Sequence, residues 1–246
     1  MAIKTFDLEL ISAKMITPHV KHLVLKRADG EAFEFTAGQF ITFLFDCSEA
    51  KPKRRSYSIA TIPATDNTNE IEIAISYVEG GIATRNLFDM QPGDCFSATG
   101  PAGRLVLRDE PVKRLILVGT GTGIAPYRAM LPELADKVEK ENIQVEVLLG
   151  VQYRKDALYS EDFLQFSQSY ENINFTACLS REKEDLETHE HQGYVQSQFE
   201  MLNLNPQEDI IYLCGNPNMI DQAYELLKEK GFDIKNVRRE KYISSN

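Results

Sequence analysis

The apolar and polar positions of this chain follow two different rhythms, and the change falls near residue 110. In the first part, segments such as VKHLVLKR, QFITFLF and EIEIAISYV alternate apolar with polar residues, as strands do when one face is buried. Turn-forming stretches such as ADGE and QPGD separate them. Many short strands with regular turns favour an antiparallel β-barrel.

In the second part, apolar strands alternate with helical segments. The strands are RLILVGT, VEVLLGV, NFTACLS and DIIYLCG. The helix NMIDQAYELLKEKG ends at a glycine, a common helix stop. This alternation indicates a doubly wound parallel sheet. We therefore predict two domains, an N-terminal antiparallel β-barrel over residues 1–110 and a C-terminal α/β domain with a parallel sheet over residues 111–246.

Composition and charge narrow the function classes. The formal net charge of −10 argues against a general nucleic-acid binder, which needs a basic face. The four cysteines lie far apart in sequence, so no zinc site or cysteine-ligated iron–sulfur cluster is expected. The sequence shows no signal-peptide pattern and no apolar run long enough for a membrane span. We expect a cytoplasmic monomer that binds no metal.

A glycine-rich stretch, GTGTGIAP, follows the first strand of the second part and opens a helix. Its Thr120, Gly121, Thr122 and Gly123 would let a phosphate approach the backbone and the positive end of the helix dipole. It departs from the G-x-G-x-x-G pattern because Pro126 occupies the last glycine position. A tight strand–helix turn that binds nothing is the alternative.

Cations and a hydroxyl stand at the ends of the next two strands. Arg154 follows the second strand, where an NAD-binding fold usually carries an acidic residue, and Ser180 with Arg181 ends the third. A hydroxyl and guanidinium groups suit a 2′-phosphate and favour NADP, although each arginine could be an ordinary surface charge. Cys214 and Gly215 end a further strand, where ligands bind in such sheets; buried packing is the alternative for the cysteine.

In the barrel half, the stretch KRRSYSIA places three cations beside an aromatic ring and two hydroxyls. One interpretation is a solvated edge strand. The other is an anionic, planar ligand whose phosphates pair with the cations while its ring system packs on Tyr57.

Four motifs in order, RxYS, GTGTGIAP, SRE and CGNP, follow the barrel pattern. With them the sequence resembles the ferredoxin–NADP+ reductase superfamily, and most of all its bacterial ferredoxin and flavodoxin reductases. The resemblance covers nearly the whole chain. It implies FAD and NADP(H) as cofactors.

The resemblance also implies roles for residues of the barrel half. Arg55 would hold the FAD pyrophosphate, Tyr57 would pack on the isoalloxazine, and Ser58 would lie near flavin N5. A glycine-led helix start would take the FAD phosphates, and Leu87 would anchor that helix in the core. The residues of this start are Gly80, Gly81, Ala83 and Thr84.

For the second half, the resemblance implies a nucleotide site. The 119–123 stretch would bind the NADP pyrophosphate, Ser180 and Arg181 the 2′-phosphate, and Tyr194 with Gln196 the adenosine. Cys214 would lie near the nicotinamide C4, with Glu240 and Tyr242 near the end of the sequence completing a catalytic set that includes Ser58. Tyr242 would cover the flavin; a last core strand is the alternative for this segment.

The implied activity is hydride transfer from NADPH to FAD and single-electron transfer to ferredoxin or flavodoxin. Such carriers are acidic, so a local basic face is expected from Lys51, Lys53, Arg54 and Arg85. Three alternatives stay open: an NAD(P)H:free-flavin reductase, the reductase component of a multi-component oxygenase, and a non-catalytic electron-transfer subunit. Arg55 and the 80–84 element argue against the first, and the missing cysteine cluster against the other two.

Overall fold

The computed structural model describes residues 5–45, 53–63 and 69–242, apart from the side chain of Ile82. The chain divides into two compact units, one built mainly from residues up to Leu107 and the other mainly from Arg108 onward. The domain limits 1–110 and 111–246 remain our proposal.

The first unit is a six-stranded antiparallel sheet, as the alternating pattern predicts. Its strands are β1 (Thr5–Thr17), β2 (Val20–Arg27), β3 (Phe40–Phe45), β4 (Lys53–Ser58), β5 (Glu70–Ser76) and β6 (Cys95–Ala102). They lie in the order β4-β3-β6-β1-β2-β5, and a bridge from Ile59 to Ile73 brings the ends of this order together. Helix α1 (Ile82–Asp89) follows β5.

The core of this unit comes from the inward positions of the strands, because successive side chains of a strand point to opposite faces. On β3, Ile41, Phe43 and Phe45 are buried, whereas the residues between them are partly exposed. Leu87 of α1 is fully buried in the same core. The predicted anchoring of this helix by Leu87 is therefore confirmed.

The second unit is a six-stranded parallel sheet with helices, which confirms the predicted α/β class. Its strands are β7 (Arg114–Thr120), β8 (Gln144–Val151), β9 (Ile173–Leu179), β10 (Glu190–Gln192), β11 (Asp209–Gly215) and β12 (Val237–Lys241). Their order is β10-β9-β8-β7-β11-β12. The helices are α2 (Ala125–Glu141), α3 (Ser160–Ser169), α4 (Gln198–Met201) and α5 (Pro217–Glu229).

The sheet order changes direction between β7 and β11. Strands β8, β9 and β10 lie on one side of β7, and β11 and β12 lie on the other. In open α/β sheets, ligands bind at such a switch point, outside the carboxyl ends of the strands. The glycine-rich stretch and the Cys214–Gly215 pair stand at this point.

Candidate functional site

Strand β4 presents Arg55 and Tyr57 on one side. They lie directly opposite Phe43 and Ile41 of β3, whose side chains face the core. Residues directly opposite each other in a ladder share a face. A guanidinium and an aromatic ring therefore stand two residues apart on one side of the strand, a spacing that suits one ligand with a phosphate and a ring.

Tyr57 is held in place by packing. Its ring meets the Phe43 ring edge-on, with the ring centroids 5.9 Å apart, and it packs against the core of the sheet. Burial raises the pKa of the Tyr57 hydroxyl to about 12, and the positive charge of Arg55 acts in the opposite direction. The ring is thus neutral at physiological pH and has one restrained orientation.

The remaining β4 residues are divided between the two sides of the strand. Arg54 is exposed and lies on the opposite side of the strand from Arg55. The same alternation directs Ser58 away from Tyr57, and Ser58 is only 5% exposed. Lys53 lies on the same side of β4 as Arg55. Lys53 and Arg54, both expected in the basic face, therefore point to opposite sides of the strand. Lys51 lies outside the described residues.

The start of α1 is tightly built around Thr84. The Thr84 hydroxyl lies 3.1 Å from the Val78 carbonyl and 3.2 Å from the Gly81 carbonyl, so its one hydrogen is directed at the backbone. A Cβ on Gly81 would come within 2.5 Å of the Thr84 oxygen. Gly80 has a φ of +73°, which favours glycine. Gly81 and Thr84 thus shape the helix start, and Ala83 and Thr84 are buried beside it.

At the switch point of the parallel sheet, the glycine-rich stretch packs directly on the end of β11. A Cβ on Gly123 would lie 2.4 Å from the Cys214 carbonyl oxygen, and one on Gly215 would lie 2.6 Å from the Thr120 hydroxyl oxygen. Gly121 has a φ of +51° and nothing within 4 Å of its ideal Cβ position. Two glycines are required for the close approach of backbones, and Gly121 leaves open space above the turn.

Asn216 joins the two segments of this turn, a role that the sequence analysis missed. Its backbone N–H donates to the Thr120 hydroxyl at 2.9 Å, while its side-chain oxygen accepts from the N–H groups of Asn218 and Met219. Asn followed by Pro at the first helical position is a known helix-start pattern. The stretch CGNP carried that signal.

Cys214, Glu240 and Tyr242 come together at the same edge. Cys214 lies opposite Glu240 in the β11–β12 ladder, and the Tyr242 N–H donates to the Gly215 carbonyl at 2.8 Å. The pKa of the Cys214 thiol is raised well above its usual value, first by burial and then by the Glu240 charge, while a hydrogen bond with the Tyr242 side chain opposes the shift. The thiol is therefore protonated at neutral pH.

Ser180 and Arg181 lie at the carboxyl end of β9, as predicted, and their N–H groups donate to the carbonyls of Val151 and Gln152. Arg181 is exposed. Within the described residues, no carboxylate lies within ion-pair distance of its guanidinium. The Arg181 charge is thus available to an anionic ligand at this strand end.

Arg154 has a different setting from the one expected. Its guanidinium forms a two-pronged ion pair with Glu190, with nitrogen–oxygen distances of 2.6 and 2.5 Å, and it donates to the Asp185 carbonyl. This hydrogen bonding raises the pKa of Arg154 and lowers the pKa of Glu190. Arg154 thus binds the segment between β9 and β10, and its role in holding a phosphate stays a prediction.

Tyr194 and Gln196 line an open cavity of about 630 Å³ beside helix α5. The Tyr194 ring is 72% exposed, which leaves it accessible for stacking. The cavity adjoins the Ser180 segment, because the Gly193 N–H donates to the Leu179 carbonyl at 3.0 Å. Its described lining carries carboxylates and amides but no cation. The lining consists of Gln192, Gly193, Tyr194, Gln196, Ser197, Gln222, Glu225, Leu226 and Glu229.

Comparison with known proteins decides the family. Residues 7–107 match the oxidoreductase FAD-binding domain, and residues 117–225 match the oxidoreductase NAD-binding domain. A ferredoxin–NADP reductase B of Sorangium cellulosum is 30% identical, and the match covers 96% of this chain and 97% of the relative. The chain belongs to the ferredoxin–NADP+ reductase superfamily.

Other members of the superfamily show the breadth of this similarity. The toluate 1,2-dioxygenase electron transfer component of Pseudomonas putida is 28% identical, and the match covers 91% of this chain but 63% of that protein. The crystal structure of a ferredoxin NADP+ reductase from Neisseria gonorrhoeae, with bound FAD and NADP, has a TM-score of 0.82 at 20% identity. That match covers 98% of this chain and all of the other.

As a superfamily member, the protein is an oxidoreductase that binds FAD and a nicotinamide dinucleotide. The residues present fit both groups. The Arg55–Tyr57 pair offers one cation and one ring on the same side of β4, and Gly121 in the 119–123 turn leaves open space that suits a pyrophosphate. Within the described ranges, no cluster of His, Cys, Asp or Glu suits a metal ion. Nor does any described helix have the length and apolar character of a membrane span.

Proposed function

We propose that the protein is an FAD-dependent NADPH reductase of a small electron carrier, ferredoxin or flavodoxin. The observation that carries this proposal is the near full-length match to a ferredoxin–NADP reductase, which covers 97% of that relative. The motifs RxYS, GTGTGIAP, SRE and CGNP support it, because they lie in this order along the chain. FAD, when bound, accepts a hydride and returns electrons one at a time.

The residues of the first unit would bind and orient the flavin. Arg55 would pair with the pyrophosphate, Tyr57 would hold the ring system by stacking, and the first turn of α1, directly after Gly80 and Gly81, would offer backbone N–H groups to phosphate oxygens. Because Phe43 fixes the Tyr57 ring, the ligand ring meets a surface that is already ordered.

The residues of the second unit would bind and orient the nucleotide. The turn at residues 119–123 takes the pyrophosphate, Arg181 with Ser180 pairs with the 2′-phosphate, and Tyr194 stacks on the adenine. At the reacting end, the Cys214 thiol is fully buried and keeps its proton, and the nicotinamide would lie near it, with Glu240 and Tyr242 alongside. No residue needs to form a covalent bond.

A second candidate is the reductase component of an oxygenase. The 28% identity to the toluate dioxygenase electron transfer component favours it, and this chain spans 63% of that relative's length. The chemistry at the flavin would be the same, and the electron acceptor would differ.

Flavin retention distinguishes the proposal from a free-flavin reductase. The purified protein should be yellow and keep its FAD through desalting, because Arg55 and the α1 start hold the diphosphate as well as the ring. Its NADPH oxidation should then proceed with a carrier protein and without added flavin. A colourless protein that oxidises NADPH only when free flavin is supplied would contradict the proposal.

A further inference from the structure

Strand β12 carries Glu240 and ends one residue before Tyr242, and its two faces are anchored differently. One face packs on α5: Val237 lies in the core, the Arg239 guanidinium lies 3.7 Å from the centre of the Tyr224 ring, and Lys241 pairs with Asp221 at 2.6 Å. Because side chains alternate along a strand, Arg238 and Glu240 share the other face. Tyr242 directly follows the strand, and its N–H donates to the Gly215 carbonyl at 2.8 Å.

The opposite face is anchored by Arg238. Its guanidinium forms an ion pair with Glu110, which precedes β7, and donates to the Tyr212 hydroxyl at 3.1 Å. It also lies over the Tyr212 ring, 5.1 Å from the ring centre. Tyr212 is opposite Arg238 in the ladder, and Cys214 is opposite Glu240. The Arg238 contacts are thus one step along the same face from the Cys214 edge.

Because β12 lies at the edge of the sheet, its alignment depends on contacts such as those of Arg238. Among the described strands it pairs only with β11 and so forms an edge of the sheet, and edge strands open at a lower free energy than central ones. A slip by one residue would turn Glu240 to the other face. Arg238 ties this strand to the middle of β11 and to the segment before β7, which opposes both events.

The burial of Arg238 favours a role in register over one in bulk stability. The residue is 8% exposed, and its Nε is buried and makes no hydrogen bond within the part of the chain that the structure describes. An apolar side chain of similar volume would avoid the cost of burying this charge. A guanidinium, by contrast, can bind Glu110 and Tyr212 at once, and so permits only one alignment of β12.

We infer that Arg238 is a positioning residue, which holds Glu240 and Tyr242 against Cys214 at the reacting end of the nucleotide site. The inference rests on the proposed function for the role of that end. Arg238 touches neither substrate nor cofactor; it acts through the alignment of β12.

The test uses the FAD-loaded protein and two readouts. The first is the labelling rate of Cys214 by N-ethylmaleimide, followed by mass spectrometry of its peptide. The second is the kcat and KM for NADPH with a carrier protein. Arg238→Met should raise the labelling rate about tenfold, because the edge strand opens more often. It should lower kcat about tenfold with little change in KM, because the 2′-phosphate end is undisturbed.

Arg239→Met is the matched control, since it removes the neighbouring arginine from the face that packs on α5. It should leave both readouts near the wild-type values. Arg238→Lys keeps the charge and should restore part of the protection of Cys214. Glu110→Gln removes the charge of the other partner in the ion pair, and Glu110 is partly exposed, so this variant should fold even if Arg238→Met folds poorly. It should shift both readouts in the same direction as Arg238→Met.

Unchanged Cys214 labelling in Arg238→Met and Glu110→Gln would overturn the inference. Equal changes in Arg238→Met and Arg239→Met would also overturn it, because they would show a general loss of stability. The labelling needs no nucleotide or carrier. Wild-type protein that oxidises no NADPH would therefore overturn the proposed function, while the labelling result would still decide whether Arg238 holds β12 in place.

Discussion

Arg54 and Arg55 are adjacent in sequence, but they point to opposite sides of β4. Only Arg55 shares its side with Tyr57 and with the core-facing residues of β3. The motif places the two arginines next to each other in sequence. They separate in space because successive side chains of a β-strand point to opposite faces. The two arginines therefore form a natural pair of variant and control.

Arg55→Ala should weaken FAD binding, whereas Arg54→Ala should not. A hydrogen bond to a charged group contributes about 1.5–3 kcal/mol, which corresponds to about 10- to 150-fold in Kd. The Kd for FAD can be measured on the apoprotein by titration with FAD, following the quenching of flavin fluorescence. Equal losses in the two variants would show that β4 depends on the total positive charge rather than on a directed contact.

Arg181→Ala should lower kcat/KM for NADPH by about tenfold and leave the value for NADH nearly unchanged. The tenfold figure is the low end of the range for a charge-assisted hydrogen bond, because the guanidinium is exposed and screened by solvent. The loss should appear in KM, since the 2′-phosphate is far from the reacting carbon. Steady-state kinetics with both nucleotides measure it.

Lys183→Ala, which removes an exposed cation two residues away, is the control for Arg181. It should change neither nucleotide's kcat/KM. Comparable losses with NADPH and NADH in Arg181→Ala would mean that Arg181 supports the fold. A wild-type preference for NADH would contradict the assignment of Ser180 and Arg181 to a 2′-phosphate.

At the scale of elements, short sequence patterns predicted the strands and helices whose formation depends on neighbouring residues. The apolar run DIIYLCG is β11 to the residue, and the helix before Gly231 is α5. Patterns of a few residues could not reveal the Arg154–Glu190 ion pair, because its partners are 36 residues apart. The contact of Tyr242 with Cys214 likewise depends on the register of two strands. The sequence therefore indicated which charged residues stand at the strand ends, but not which residue each of them contacts.

The packing of the 119–123 turn on β11 gives a prediction at this scale. Gly123→Ala should reduce the free energy of unfolding by about 1–3 kcal/mol, because the added methyl group would overlap the Cys214 carbonyl. Gly121→Asn should cost less, because its Cβ position is open and Asn tolerates a positive φ. Urea unfolding of both variants measures the difference. A larger loss in Gly121→Asn would show that backbone conformation, not close approach, requires glycine in this turn.

At the scale of the whole molecule, the two units divide the chemistry between them. The antiparallel unit holds the proposed flavin residues, and the parallel unit holds the proposed nucleotide residues around its switch point. Two residues of the expected carrier surface, Arg54 and Arg85, are exposed, as such a surface requires, and Lys51 lies outside the described residues. Charge reversal at Arg54 should slow reduction of an acidic carrier at low salt without loss of FAD.

The central claim is that NADPH reduces a bound flavin, which then passes electrons to a carrier protein. Anaerobic stopped-flow spectroscopy of the FAD-loaded protein tests it most directly, first with NADPH and NADH and then with oxidised ferredoxin or flavodoxin added to the reduced protein. We expect NADPH to bleach the flavin absorbance faster than NADH at equal concentration, and the carrier to restore it. A flavin that NADPH does not bleach, or a reduced protein that neither carrier reoxidises, would contradict the account.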